Sequence, residues 1–218
     1  DLCGILLPDS AHLQEEQAEH ANKHGYSKHT PAQPLYTARD AQRVLDHLRP
    51  SPYGSITDVA EGVRVRMVDA GHILGSAIIE MWVQDGGRET KIVFSGDVGR
   101  YGEPLLRDPT PIEEADYLLV ESTYGDREHS DGHPEDQLAA AVRAAVAQRG
   151  PLVIPSFAVG RTQQLIYALH TLLEQGKIPS VPVFVDSPMA TDATEIFLAH
   201  PESHDLDLQR LESNGENP

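Results

Sequence analysis

Asp69-Ala-Gly-His-Ile-Leu-Gly-Ser76 follows a run in which Val63, Val65 and Met67 alternate with Arg64 and Arg66, the period-2 pattern of a half-buried strand. The octet therefore reads as a polar turn at a strand end, with His72 set between glycines. Glycine lets a backbone approach a ligand closely and take angles other residues resist, and neutral imidazole is a common zinc ligand. The pattern recurs twice. Ile92-Val-Phe94 runs into Ser95-Gly-Asp-Val-Gly-Arg100, and Tyr117-Leu-Leu-Val120 runs into Glu121-Ser-Thr-Tyr-Gly-Asp-Arg127. Three such turns in one sheet gather His72, Asp97 and Glu121 along a single edge, which is how a hydrolytic metal site is assembled. Taken singly, each residue has a plainer reading: His72 as a solvated histidine, Asp97 as an Asx-turn residue. Glu121 alone fits a ligand, a general base or an acceptor orienting a histidine.

Outward from these turns, Ala77 to Val83 forms another apolar run, and Asp85-Gly-Gly87 supplies a hairpin turn. Upstream, residues 9–24 read as a helix capped by Asp9 or Ser10 and ended by Gly25. A second helix starts at Thr37, with Asp40 three residues on, and stops before Pro50. Beyond about residue 126 the pattern becomes helix–strand–helix. Helices are expected from Pro134 to before Gly150, over 161–175 and over 190–199, with short buried strands at 151–155 and 181–185. That alternation is the βαβ signature of a parallel sheet. The expected division is 1–125, mixed and β-rich, and 126–218, α/β.

Two strand-to-helix turns in the second part suit a phosphate. Ser156-Phe-Ala-Val-Gly-Arg-Thr162 precedes a helix N-terminus, where free N–H groups and the positive end of the dipole lie. It lacks the Gly-Lys-Ser/Thr of a nucleotide-binding P-loop. Asp186-Ser-Pro-Met-Ala190 is the equivalent turn of the next unit, and both are expected at the carboxyl edge of the sheet, where ligands bind. Asp126, His129, Asp131 and His133 cluster after the third turn and read as a solvated loop with Asp131 capping a helix.

Composition bounds the function classes. The net charge of −17 over 218 residues argues against broad coating of nucleic acid, although bound dications and a few arginines can make a cleft locally positive. The single cysteine, Cys3, rules out an internal disulfide and fits a reducing compartment, the cytoplasm. No apolar run is long enough for a membrane span and no signal peptide is visible. No Gly-x-Ser-x-Gly elbow occurs. The chain begins without methionine and ends in Glu212-Ser-Asn-Gly-Glu-Asn-Pro218, which reads as a fragment.

Gly71-His-Ile-Leu-Gly-Ser76, Ser95-Gly-Asp-Val-Gly-Arg100, Glu121-Ser-Thr-Tyr-Gly-Asp-Arg127, Pro155-Ser-Phe-Ala-Val-Gly-Arg161 and Asp186-Ser-Pro-Met-Ala190 together resemble the metallo-β-lactamase superfamily, in its β-CASP branch of nucleic-acid-processing nucleases. The resemblance covers most of residues 60–200. It implies an α/β fold: part of a metallo-β-lactamase αββα sandwich over 1–125, then the first part of an inserted β-CASP parallel-sheet domain over 126–218. It implies hydrolysis of RNA phosphodiester bonds with water activated by two Zn²⁺ ions. His72 would bind one zinc, Asp97 would bridge both, and Glu121 would orient a histidine located further downstream. Ser156 and Arg161 would contact substrate phosphate, and the expected partners are RNA and a second copy in a homodimer, with no membrane.

The departure from the family pattern is as informative. Most zinc ligands of these enzymes lie in a His-x-His-x-Asp-His motif, and none occurs here; His12, His20, His24 and His29 have the wrong spacing. The chain alone is therefore expected to bind zinc poorly and to be inactive. Two other readings stand beside the nuclease: a non-catalytic β-CASP scaffold that pairs with an active subunit, and a metallo-hydrolase of small esters. The α/β part after residue 126 disfavours the latter.

Overall fold

In the computed structural model of the chain, residues 1–127 and 132–205 are described. His129 and Asp131 of the polar cluster, and the residues 206–218, lie outside them. Two helices, α1 (Cys3–His24) and α2 (Ala38–Leu45), pack on each other ahead of a five-stranded sheet. The strands are β1 (Ile56–Ala60), β2 (Val63–Asp69), β3 (Ala77–Asp85), β4 (Arg88–Phe94) and β5 (Tyr117–Leu119), in spatial order 1-2-3-4-5. The first four form an antiparallel meander, and β5 joins β4 in parallel. Helices α3 (Pro134–Gln148), α4 (Arg161–Glu174) and α5 (Pro188–Leu198) follow, giving the mixed α/β architecture expected.

Local chemistry explains the well-read elements. Thr37 Oγ1 accepts from the Asp40 N–H, and the Asp40 carboxylate accepts from the Thr37 N–H, so the capping box of α2 closes on itself. Both residues of the β3–β4 turn, Gly86 and Gly87, have positive φ, as a tight two-residue hairpin requires.

Strand alternation sorts the sheet faces. Register places Val68 opposite Ile78 and Glu80 opposite Val93 on one face, where Val68, Ala70, Ile78 and Val93 form a buried cluster capped by Ile112. Glu80 is buried among them, its carboxylate held by Arg66 Nε at 2.5 Å and by Lys91 Nζ at 2.7 Å. Arg64, Arg66 and Lys91 also lie over the Trp82 ring. Burial opposes the charge on Glu80, but the hydrogen bonds from Arg66 and Lys91 outweigh it and hold the carboxyl below its ordinary range. A second cluster joins α3 to α4 through Ala139, Val142, Leu172 and Ile178. A third joins Leu105 and Phe197 to Leu74 and Tyr167, tying the His72 turn to α4 and α5.

Two expectations are corrected, and two further features, the residue that ends α3 and strand β1, had no signal in the sequence. Helix α1 starts at Cys3 rather than at Asp9 or Ser10, with Pro8 inside it; Pro8 has no N–H to give, so the helix runs through it one bond short. Helix α3 ends before Gly150 as expected, and the residue that turns left-handed at its end is Arg149, φ 53°. Strand β1 has no apolar alternation to announce it, since all five residues are exposed. The strands expected at 151–155 and 181–185 form no ladder among the described residues. Apolar β-branched runs make a strand only where a neighbour completes the hydrogen bonds, and here Val153 and Phe184 stay 80% and 85% exposed. No helix among the described residues is long and apolar enough to cross a membrane.

Candidate active site

His72 sits in the β2–β3 connection, which the Ser76 side chain closes. Ser76 Oγ accepts from the backbone N–H of His72 at 3.1 Å and of Ile73 at 3.3 Å. The Tyr53 hydroxyl donates to the Ser76 carbonyl at 2.8 Å. Burial, then the nearby Asp69 charge, push the Tyr53 phenol up to about 12, so it remains a donor at any physiological pH. Asp69 itself is raised by burial, with Arg107 opposing. Gly71 lies against the 107–109 segment and has φ +63°, a left-handed conformation that disfavours a side chain.

The Asp97 turn is docked directly on the His72 turn. Gly99 N–H donates to Ala70 O at 2.8 Å, and a β-carbon on Gly99 would fall inside contact distance of the Gly71 carbonyl and 2.9 Å from His72 N. Only glycine permits that approach. From the other side, the Val98 N–H donates to Glu121 Oε1 at 2.6 Å. The bond from the Val98 N–H, and after it the Thr123 side chain, hold the Glu121 carboxyl below its ordinary range. The structure thus brings the His72, Asp97 and Glu121 turns together on one edge of the sheet, at the ends of β2, β4 and β5, with β3 between the first two. His72 and Asp97 are exposed and Glu121 is half-buried.

An imidazole nitrogen and a carboxylate oxygen have the donor chemistry of a zinc site, but such a site takes about four ligands. Among the described residues no group of three or more His, Cys, Asp or Glu side chains converges on one point. The donors fit zinc in kind and fall short in number.

A shallow cleft beside His72 is lined by Gly71, Leu74, Glu103, Gly160, Gln163 and Phe197, so the turn before α4 faces the same region. In that turn Thr162 Oγ1 donates to Phe157 O at 2.8 Å, which leaves Ser156 to donate its own proton to Thr162 Oγ1 at 2.9 Å. Arg161, at the first position of α4, is exposed. Three residues that sequence reasoning did not single out organise this region. Ser76 and Ser95 close the turns. The buried Gln163 accepts from Gly160 N–H and donates to Ala158 O and Thr194 Oγ1, joining the turn to α5. A Gln at the third helical position was the one visible signal; the serines had none.

The β-CASP domain family matches residues 162–218. A transcription termination factor FttA from Methanosarcina mazei is 34% identical over 189 residues, covering 84% of this chain and 29% of that protein. A protein of the same name from Cenarchaeum symbiosum is 31% identical over 85% of this chain and 29% of its own length. Ribonuclease TTHA0252 of Thermus thermophilus is 32% identical over 85% of this chain and 42% of its own length. The chain thus spans between about three and four tenths of these relatives. Domain match, relatives and the docked strand-end turns agree: the chain belongs to the β-CASP branch of the metallo-β-lactamase superfamily.

Proposed function

We propose that the intact protein is a zinc-dependent RNA phosphodiesterase, to which this chain contributes one edge of the active site. The observation that carries the reading is the backbone docking of the two donor-bearing turns, Gly99 N–H on Ala70 O, with Glu121 held against the second. Such rigid placement has no purpose for a solvated loop. It suits ligands that must meet a cation. The relatives named ribonuclease and termination factor support a substrate of RNA.

In this reading His72 would hold one zinc and Asp97, with two carboxylate oxygens, would bridge two. The ions would supply a more acidic water and neutralise charge on the phosphate. Glu121 is the acidic residue of the third turn, kept ionised by the Val98 and Thr123 bonds, and would orient a histidine supplied from beyond these residues. Arg161 would contact substrate phosphate from the α4 N-terminus, where its charge and the free N–H groups add. Ser156, whose proton is committed to Thr162, would serve the phosphate by shaping that turn. The division at residue 125 and a homodimeric assembly belong to the same proposal.

One observation favours a second reading, a non-catalytic scaffold: two donors are too few for zinc, and no third joins them among the described residues. One experiment separates the two. In the intact protein, His72→Ala and Asp97→Ala are expected to abolish RNA cleavage and lower the zinc content while the fold persists. Full activity with wild-type zinc in either variant would overturn the metal assignment; an intact wild type that binds no zinc and cuts no RNA is the scaffold.

A further inference from the structure

We propose that Ser95 and Glu121 form a clasp that sets the position of the Asp97 turn before any metal arrives, making Ser95 a positioning residue of the site. The inference rests on the metal reading above.

Four hydrogen bonds surround residues 95–98. Ser95 N–H donates to Leu119 O at 2.9 Å, extending the parallel β4–β5 pairing by one step. Ser95 Oγ donates to Gly96 O at 2.6 Å and accepts the Glu121 N–H at 3.0 Å. Glu121 Oε1 then accepts the Val98 N–H at 2.6 Å. The contact is reciprocal: a side chain at the end of β4 holds the backbone of Glu121, and the side chain of Glu121 holds the backbone one residue past Asp97. Ser95 is buried, 6% exposed, so its hydroxyl bonds are not interchangeable with water. On the far side, Gly99 is bonded to Ala70. The Asp97 backbone is therefore fixed on both flanks, by bonds spanning more than twenty residues in each direction.

Fixing a ligand in advance removes the ordering cost from the binding step. Partners one bond removed from a metal ligand typically contribute about 10–100-fold in affinity. The clasp also separates two roles for Glu121. If it acted as a ligand through its charge, an amide in its place would fail. If it acts on Val98 through an acceptor oxygen, the amide serves.

The test is zinc affinity of the intact protein, measured by competition with a chromophoric chelator, together with amide exchange at Val98 in the metal-free state. Ser95→Ala and Glu121→Ala are expected to weaken zinc binding about tenfold or more and to speed Val98 exchange. Glu121→Gln keeps an acceptor for the Val98 N–H and is expected to stay within about threefold of wild type. Wild-type affinity and Val98 protection in both alanine variants overturn the clasp, as does a Glu121→Gln loss equal to that of Glu121→Ala. If Ser95→Ala does not fold, the Glu121 pair decides by the same criteria. Zinc binding without RNA cleavage in the wild type sinks the nuclease reading and leaves the clasp standing; no zinc binding at all sinks both.

Discussion

Gly71→Ala offers a direct measure of how tightly the His72 turn is packed, because Gly75 in the same turn supplies an internal control. Both glycines have positive φ, +63° and +79°, so alanine at either is strained, at about 1 kcal/mol. They differ in their surroundings. A β-carbon at Gly71 would lie 2.7 Å from Arg107 O, 2.8 Å from Pro109 Cδ and 2.9 Å from Pro109 N, whereas nothing lies within 4 Å at Gly75. Two of those three atoms are backbone and the third belongs to a rigid ring, so none can swing aside. Overpacking of this kind costs about 1–3 kcal/mol. Gly71→Ala is therefore expected to destabilise by about 2–4 kcal/mol, strain and overpacking together, and Gly75→Ala by about 1. Urea unfolding of the intact protein at neutral pH measures both, with the unfolding slope checked for constancy. Equal losses in the two variants would refute the claim that the 107–109 segment is seated on the turn.

Other perturbations follow from the same geometry. Gly99→Ala drives a methyl into the Gly71 carbonyl and displaces the bond to Ala70; a loss of about 3 kcal/mol or more is expected in the same unfolding assay. Glu80→Gln removes the charge that Arg66 and Lys91 share. The cost at pH 7 is expected to be about 2 kcal/mol, less than for a fully buried pair because both cations keep some water. Since the folded carboxyl of Glu80 is depressed, its contribution is complete above the ordinary carboxylate range and fades as pH falls through the lower folded value. Wild type and Glu80→Gln should therefore converge in stability as pH falls through and below the ordinary carboxylate range, and a constant gap would contradict the pairing. Arg149→Gly relieves the left-handed residue that ends α3, and a gain of up to about 1 kcal/mol is expected from thermal melting.

What could be read in advance depended on how far the governing interaction reaches along the chain. Alternation in β2, the Gly86-Gly87 hairpin and the Thr37–Asp40 box are local, each settled by residues within a few positions, and all were legible. So was the placement of His72, Asp97 and Glu121 at strand ends, since each follows an apolar run. The absence of a ladder at 151–155 and 181–185 among the described residues was not, because a strand needs a neighbour to supply hydrogen bonds and composition shows only willingness to accept one. The left-handed turn at Arg149 carried no signal either, because it is closed by the Gly150 N–H reaching back to Ala145 O. Ser95 is the plainest case. Its partner Glu121 is 26 residues away, and a serine at a strand end carries no mark of that distance.

The apolar side chains left in water at Tyr117 to Val120, Val153 and Phe184 also govern how this polypeptide behaves in a test tube. Such side chains adhere to their like, while a net charge of −17 keeps copies apart. The two forces respond oppositely to electrolyte. Repulsion reaches about 30 Å at 0.01 M salt and only about 3 Å at 1 M, whereas apolar adhesion does not weaken. The chain by itself should remain dispersed in dilute buffer and self-associate as salt is added, the reverse of what a charge-paired interface would do.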